Sequence, residues 1–220
     1  GNFLCYEVAS TRGNLNKLIK ARAGLIHIHP HLKHCLQLSL ATIQGWERLR
    51  PSEQRPPAPR SLVYALVRYF VERDQLQLAT VVMLCFDCFL RINEALSLTL
   101  DSVNPCAIGP GGGEVVALLL KKTKTGLNQS ATVLLPALAK VMKKRFRQLT
   151  DEGQAKSSKF FTLTANKVNA AIKDALRDMG VDFKIMAHSL RHGGATAAKL
   201  DRWPVQEIQS RGRWRVLASL

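Results

Sequence analysis

The chain has 220 residues, of which 46% are apolar and 22% charged. That is an ordinary globular composition, and it excludes collagen-like, low-complexity and wholly disordered chains. Thirty-two Lys and Arg against sixteen Asp and Glu leave a net charge of +16, an excess that points to a polyanionic partner, either nucleic acid or an anionic membrane.

The excess is uneven. Residues 1–60 carry nine basic and three acidic side chains, residues 61–140 seven and six, and residues 141–220 sixteen and seven. Two basic blocks therefore flank a near-neutral centre. Residues 11–50 read as helical, with Leu15, Leu18 and Ile19, then Leu36, Leu38, Leu40, Ile43 and Trp46 at helical spacing. The stretch from Pro51 to Pro59 holds four prolines in nine residues, which deny helices and sheets their donors, so a linker is expected over 51–60. This divides the chain into residues 1–50, the linker, and residues 61–220.

From Ser61 a helix resumes through Leu62, Val63, Leu66, Val67 and Phe70, followed by a nearly all-apolar helix from Leu76 to Leu90 that is expected to be central. A shorter helix is predicted over Arg91–Leu98. Asn104-Pro105 and the Gly109–Gly113 stretch read as breaks. The β-type runs EVVALLL (Glu114–Leu120) and SATVLL (Ser130–Leu135) flank KKTKTG and form a hairpin. Further helices are expected over Ala137–Leu149, from a Thr164 cap to Gly180, from near Ser189, and from Pro204. The class is mainly α with a small β hairpin.

No segment reaches the run of about 18 apolar residues that a membrane span needs, and no secretory signal is visible behind Gly1. Because the chain opens without Met, it is expected to be a fragment. The five cysteines, Cys5, Cys35, Cys85, Cys88 and Cys106, lack paired spacing. They read as buried free thiols in a reducing compartment.

Four places carry candidate chemistry. Arg91 ends the apolar run with Glu94 three positions on. This is either a helix-end ion pair or a guanidinium braced by a carboxylate and offered to a phosphate. Lys124, in the hairpin turn with Lys121 and Lys122, is either a solvated tip or a donor reaching into a DNA groove. The string His188-Ser189-Leu190-Arg191-His192-Gly193-Gly194-Ala195-Thr196 places His188 and Arg191 on one face of a helix start, where unpaired N–H groups favour an anion. Gly193 and Gly194 each cost that helix about 1 kcal/mol relative to Ala, which points to close backbone approach. A metal site at His188 and His192 lacks a third ligand, so no metal is expected. Arg211, Arg213 and Arg215 surround Trp214, either as a cation–π surface cluster or with the indole packed against a phosphate.

In order, FLRINEAL, KTKT, HSLRHGGAT and GRW resemble the catalytic set of tyrosine recombinases, the family of phage integrases and crypton-type eukaryotic recombinases. The resemblance covers about residues 61–220 as a catalytic domain, with residues 1–50 as part of the helical core-binding domain that clamps DNA. It implies that Arg91 and Arg191 hold the non-bridging oxygens of the scissile phosphate. Lys124 would be the general acid, with Lys122 or Lys121 taking its place in another hairpin register. His188 would serve proton transfer or phosphate contact, Trp214 the family's His/Trp position, and Glu94 would brace the first arginine. Lys121, Lys122, His192, Arg211, Arg213 and Arg215 would contact DNA.

The implied chemistry needs no cofactor and no metal. A tyrosine oxygen attacks phosphorus and forms a 3′-phosphotyrosine, which a 5′-hydroxyl later reverses. The implied partners are double-stranded DNA and further copies of the chain in a synaptic tetramer, with no membrane. The implied location is intracellular and DNA-associated, the nucleus if the source is eukaryotic. The family's nucleophilic tyrosine is expected after Leu220, because Tyr6, Tyr64 and Tyr69 all precede Arg91 and the family places it after the Trp position. The alternatives are a non-catalytic DNA-binding protein of the same fold, or a basic helical protein binding RNA or anionic lipid.

Overall fold

A computed structural model describes residues 15–49, 56–109, 112–123 and 126–214. The chain divides into two compact units, Gly1–Gln54 and Arg55–Leu220. In the first, α1 (Leu15–Ile28) and α2 (Gln37–Leu49) are joined through a 3-10 turn at Pro30–Lys33. Leu18 and Ile43 are its buried apolar residues among those described, packed with Leu15 and Trp46. The apolar spacing read from the sequence thus becomes a helix pair with a small core of its own.

The second unit is built around one apolar helix. In α3 (Arg60–Val71) the buried side chains are Val63, Leu66 and Phe70, a single face at i, i+3 and i+7. Every residue from Leu78 to Phe86 of α4 (Leu76–Asp87) is buried, because α3, α8 (Ala187–Leu200) and α6 (Pro136–Asp151) all pack on it. The helix stops at Asp87 rather than Leu90. The Cys88 amide donates to the Leu84 carbonyl, and Phe89 then takes a left-handed φ of 49°, turning the chain into the short α5 (Ile92–Leu96).

The sheet has three antiparallel strands in the order β1 (Val103–Ile108), β2 (Glu114–Thr123), β3 (Gly126–Val133). Two were expected; the third forms from the stretch read as a break. Pro105 is tolerated because β1 lies at the sheet edge and its register shifts between Asn104 and Ala107. Val116, Leu118 and Leu120 of β2, with Ala131 and Val133 of β3, turn one face into the main core, the period-2 pattern of a half-buried sheet. Leu118 faces Ala131, and Lys122 and Thr123 face Leu127 and Gly126 at the turn end of the hairpin.

Helix α6 follows with Pro136 in its first turn. Then comes α7 (Ala165–Asp178), where the Thr164 hydroxyl accepts the Lys167 amide. Gly180 takes a φ of 67° just past its end. Helices α8 and α9 (Val205–Gly212) complete the unit, and Phe89, Ala195, Ala198 and Ile208 form a small second cluster with Trp203 and Trp214. The class is mainly α with a small antiparallel sheet. Among the described residues no helix is long and apolar enough to cross a membrane.

Cys85 and Cys88 are buried free thiols as expected, whereas Cys35 and Cys106 are free but exposed. Cys106 sits on the irregular edge strand, and Cys35 follows the 3-10 turn, so neither is covered. Cys5 lies outside the described residues.

Candidate active site

Arg91 is the residue ahead of α5, and Glu94 is the third residue of that helix. The Glu94 carboxylate accepts the Arg91 amide at 2.9 Å and the Arg91 Nη1 at 2.6 Å, so one side chain caps the helix and braces the guanidinium. Glu94 is only 5% exposed at its side chain, against 25% for Arg91. Its Oε2 also accepts Arg213 Nη2 at 2.9 Å and lies 3.7 Å from Arg191 Nη1. Three guanidiniums thus surround one carboxylate. Burial pushes the Glu94 pKa up, but the Arg91 amide and guanidinium and the charge of Arg213 outweigh it, and the net shift is downward.

Arg191 reaches this cluster from the first turns of α8. The start of that helix is fixed from two sides: Asn169 Oδ1 on α7 accepts the Ala187 amide at 3.0 Å, and Ser189 Oγ accepts the Met186 amide at 3.4 Å. Close approach of the backbone sets its depth. A Cβ on Gly193 would overlap the Ala58 carbonyl oxygen, and one on Gly194 would overlap the Phe86 carbonyl and the Phe89 ring. The glycine pair therefore lets α8 sink against α4 and the segment ahead of α3, and the Ala58 amide donates to the Ser189 carbonyl at 2.9 Å.

The Arg191 side chain is 1% exposed. Its Nη1 donates to the Phe89 carbonyl and its Nη2 to the Gly212 carbonyl. Burial, then repulsion from Arg91 and Arg213, pushes its pKa down to about 10, which still leaves it charged at neutral pH. The Trp214 ring lies 4.7 Å from its guanidinium carbon, a cation–π stack that covers it.

His188 and His192, one turn apart on α8, meet through Nε2 atoms 3.0 Å apart, so one ring must donate and the other accept. Burial, and secondarily Arg191, lowers the His192 pKa. His192 also lies 6.4 Å from the Trp214 ring, centroid to centroid. The site residues brought together are thus Arg91, Glu94, Arg191, His188, His192 and Trp214.

Arg211 and Arg213 of the GRW region turn inward, contrary to the surface placement expected from their sequence. Arg213, in the left-handed region at φ 55°, is 6% exposed at its side chain and bonded to Glu94. It also donates to the carbonyls of Phe89 and Arg211, both at 3.1 Å. Burial foremost lowers its pKa, and its Nε is buried with no partner among the described residues. Arg211 donates its Nε to the Asp87 carbonyl at 2.9 Å and approaches the Asp87 carboxylate. Lys121, on β2, is held by Asp101 at 2.6 Å, outside the cluster. The backbone of Lys122 pairs with Leu127 in the hairpin, while its side chain, Lys124 and Arg215 lie outside what is described.

The sequence matches the phage integrase family over residues 61–220. The chain belongs to the phage integrase family. No curated protein matches it. Among solved structures, this family member is similar to the XerA recombinase at TM-score 0.59 and 13% identity, covering 91% of this chain and 75% of that one. It is similar to the XerH site-specific recombinase, solved bound to its difH substrate before cleavage, at TM-score 0.57 and 15% identity. That match covers 76% of this chain and 49% of the other, about half its length. The catalytic domain of bacteriophage HP1 integrase matches at TM-score 0.53 and 16% identity, covering 76% of this chain and 84% of that domain.

Within this integrase-family unit, two participants carry no motif signal, and the GRW motif gives none for the inward turn of Arg213. The Phe89 carbonyl, Asn169 and the inward Arg213 depend on contacts across 102, 18 and 119 residues. A left-handed residue at the end of an apolar run, an Asn within a helix and an Arg in a basic string all have commoner local explanations.

Proposed function

We propose that this chain is the DNA-handling part of a site-specific recombinase or integrase that cuts and rejoins double-stranded DNA through a 3′-phosphotyrosine. One observation carries the reading: Arg91, Glu94, Arg191, Arg213, the His188–His192 pair and Trp214, drawn from distant parts of the sequence, share one cluster whose guanidiniums outnumber its carboxylate three to one. Arg91 and Arg191 would neutralise the pentacoordinate phosphorus, and Glu94 would keep their forks aligned.

For Arg191 to meet a phosphate, Trp214 and the Gly212 carbonyl must first give way, since both now occupy its guanidinium. The attacking tyrosine oxygen bonds to phosphorus and gives its proton to the His188–His192 pair. The 5′-oxygen leaves and takes a proton from Lys124, and the reverse step remakes the phosphodiester. Neither described tyrosine suits the attack: Tyr69 donates its hydroxyl to Asp178, and Tyr64 lines a cleft with Met83 and Arg60. The reading takes the nucleophile from sequence after Leu220. Helices α1 and α2 would belong to the clamp that grips DNA, and several copies would assemble on one site.

The test is a nicked suicide duplex offered to the chain continued past Leu220 through its next tyrosine. A covalent protein–DNA adduct is expected. Arg191→Ala should abolish it while leaving much of the non-specific binding, and an undiminished adduct refutes the reading. Lys124→Ala should slow cleavage and be rescued by a 5′-thiol leaving group. Site preference without any adduct would favour a DNA-binding protein that does not cut, the reading consistent with the covered Arg191.

A further inference from the structure

We propose that the cleft between α6 and the base of the β2–β3 hairpin is a docking site for an acidic, apolar-containing peptide segment of a partner protein. The cleft encloses about 940 Å³, within the roughly 300–1,000 Å³ range of binding pockets. Val115 from β2, Leu134 just past β3 and Ala139 from α6 contribute an apolar floor, and Lys140, Lys144 and Arg147 form the rim.

The rim follows from helix geometry. Residues 140, 144 and 147 stand at i, i+4 and i+7, one face of α6, while Leu138, Met142 and Leu149 bury the opposite face in the core. Like charges at this spacing repel and weaken a helix. All three cations are exposed, and no carboxylate pairs with them among the described residues. The neighbouring Lys143 is already neutralised by Glu114 at 2.8 Å. Asp151 and Glu152, about one turn past Arg147, also line the cleft, so an incoming segment would place its carboxylates over 140–147.

Charge alone would also suit DNA, but shape and chemistry favour peptide. A duplex offers phosphates on a convex surface and few apolar groups to lay on Val115, Leu134 and Ala139. An extended or helical peptide can fill the floor with apolar side chains while its carboxylates meet the rim. The cleft is also remote from the hairpin turn. Lys122 stands eight positions along β2 from Glu114, roughly 25 Å at the rise of a strand. The proposal stands whether or not the chain cleaves DNA.

The test uses the whole chain and a fluorescent peptide of about a dozen alternating Glu and Leu or Phe residues, followed by anisotropy near 0.15 M salt. Measurable binding is expected. Lys140→Glu with Lys144→Glu and Arg147→Glu should weaken it at least about tenfold, whereas the same charge change at the exposed Lys156, Lys159 and Lys199 should shift it less than about twofold. A polyglutamate of equal length should bind at least about tenfold less well than the mixed peptide. Equal losses in the two variants, equal binding of polyglutamate, or no binding at all would overturn the proposal. A duplex whose affinity falls in the α6 variant while the peptide's does not would assign the face to nucleic acid instead. Unchanged far-UV circular dichroism shows that the variants fold.

Discussion

Replacing Glu94 by Gln perturbs the cluster where its electrostatics are most concentrated. The carboxylate is 5% exposed, holds Arg91 at 2.6 Å and Arg213 at 2.9 Å, and lies 3.7 Å from Arg191. Glutamine preserves the shape and one acceptor oxygen, but its amide would point N–H groups at a guanidinium, and three arginines would be left without a counter-charge. Breaking a buried ion pair by removing one partner costs about 3–5 kcal/mol. Because Arg91 is 25% exposed and can turn to water, the lower end, about 3 kcal/mol, is expected. Against a total stability of about 5–15 kcal/mol that is a large loss, and urea unfolding at neutral pH reads it directly.

The dependence on pH has a definite sign. The folded Glu94 holds its proton less tightly than its ordinary value of 4.5, so its contribution is complete above that value and is lost as the pH falls toward and through the lower folded value. The gap between the natural chain and Glu94→Gln should therefore narrow in acid. A neutral-pH loss below about 1 kcal/mol, within the range of an exposed pair, would refute the reasoning, as would a gap that widens as the pH drops.

Gly194→Ala should gain about 1 kcal/mol of helix propensity yet lose more, about 1–3 kcal/mol, by overpacking against Phe86 and Phe89; a raised melting temperature would contradict this. In an NMR titration His192 should change charge below its ordinary 6.5, because burial and then Arg191 disfavour the imidazolium, and a midpoint at or above that value would refute the burial. Iodoacetamide at mildly alkaline pH should label the exposed Cys35 and Cys106 and spare Cys85, whose thiol burial pushes up to about 12, and Cys88, pushed up by burial as well. Mass mapping that finds Cys85 alkylated in the native chain would show that its helix opens.

The helices were legible wherever one face is apolar, as in α3 with Val63, Leu66 and Phe70, and the Thr164 cap and Gly180 stop marked the ends of α7. The glycine pair of α8 also announced its close packing through its helix-propensity cost. The break after Asp87 was not legible, because Cys88, Phe89 and Leu90 are as apolar as the helix before them. What ends α4 is tertiary: Arg191 and Arg213 both draw on the Phe89 carbonyl. Strand β1 was hidden because Pro105 argues against a strand, and only the finished sheet shows that it sits on an edge with a bulge. The inward turn of Arg213 was hidden for a related reason, since its acidic partner is 119 residues away.

The bond from the Ala58 amide to the Ser189 carbonyl has a mechanical meaning. Ala58 is 1% exposed and lies against Gly193, so the end of the proline-rich stretch is stitched to the helix that carries His188 and Arg191. Tension on the chain ahead of Ala58 would be delivered to that helix across one peptide–peptide link, and only afterwards to the rest of the unit.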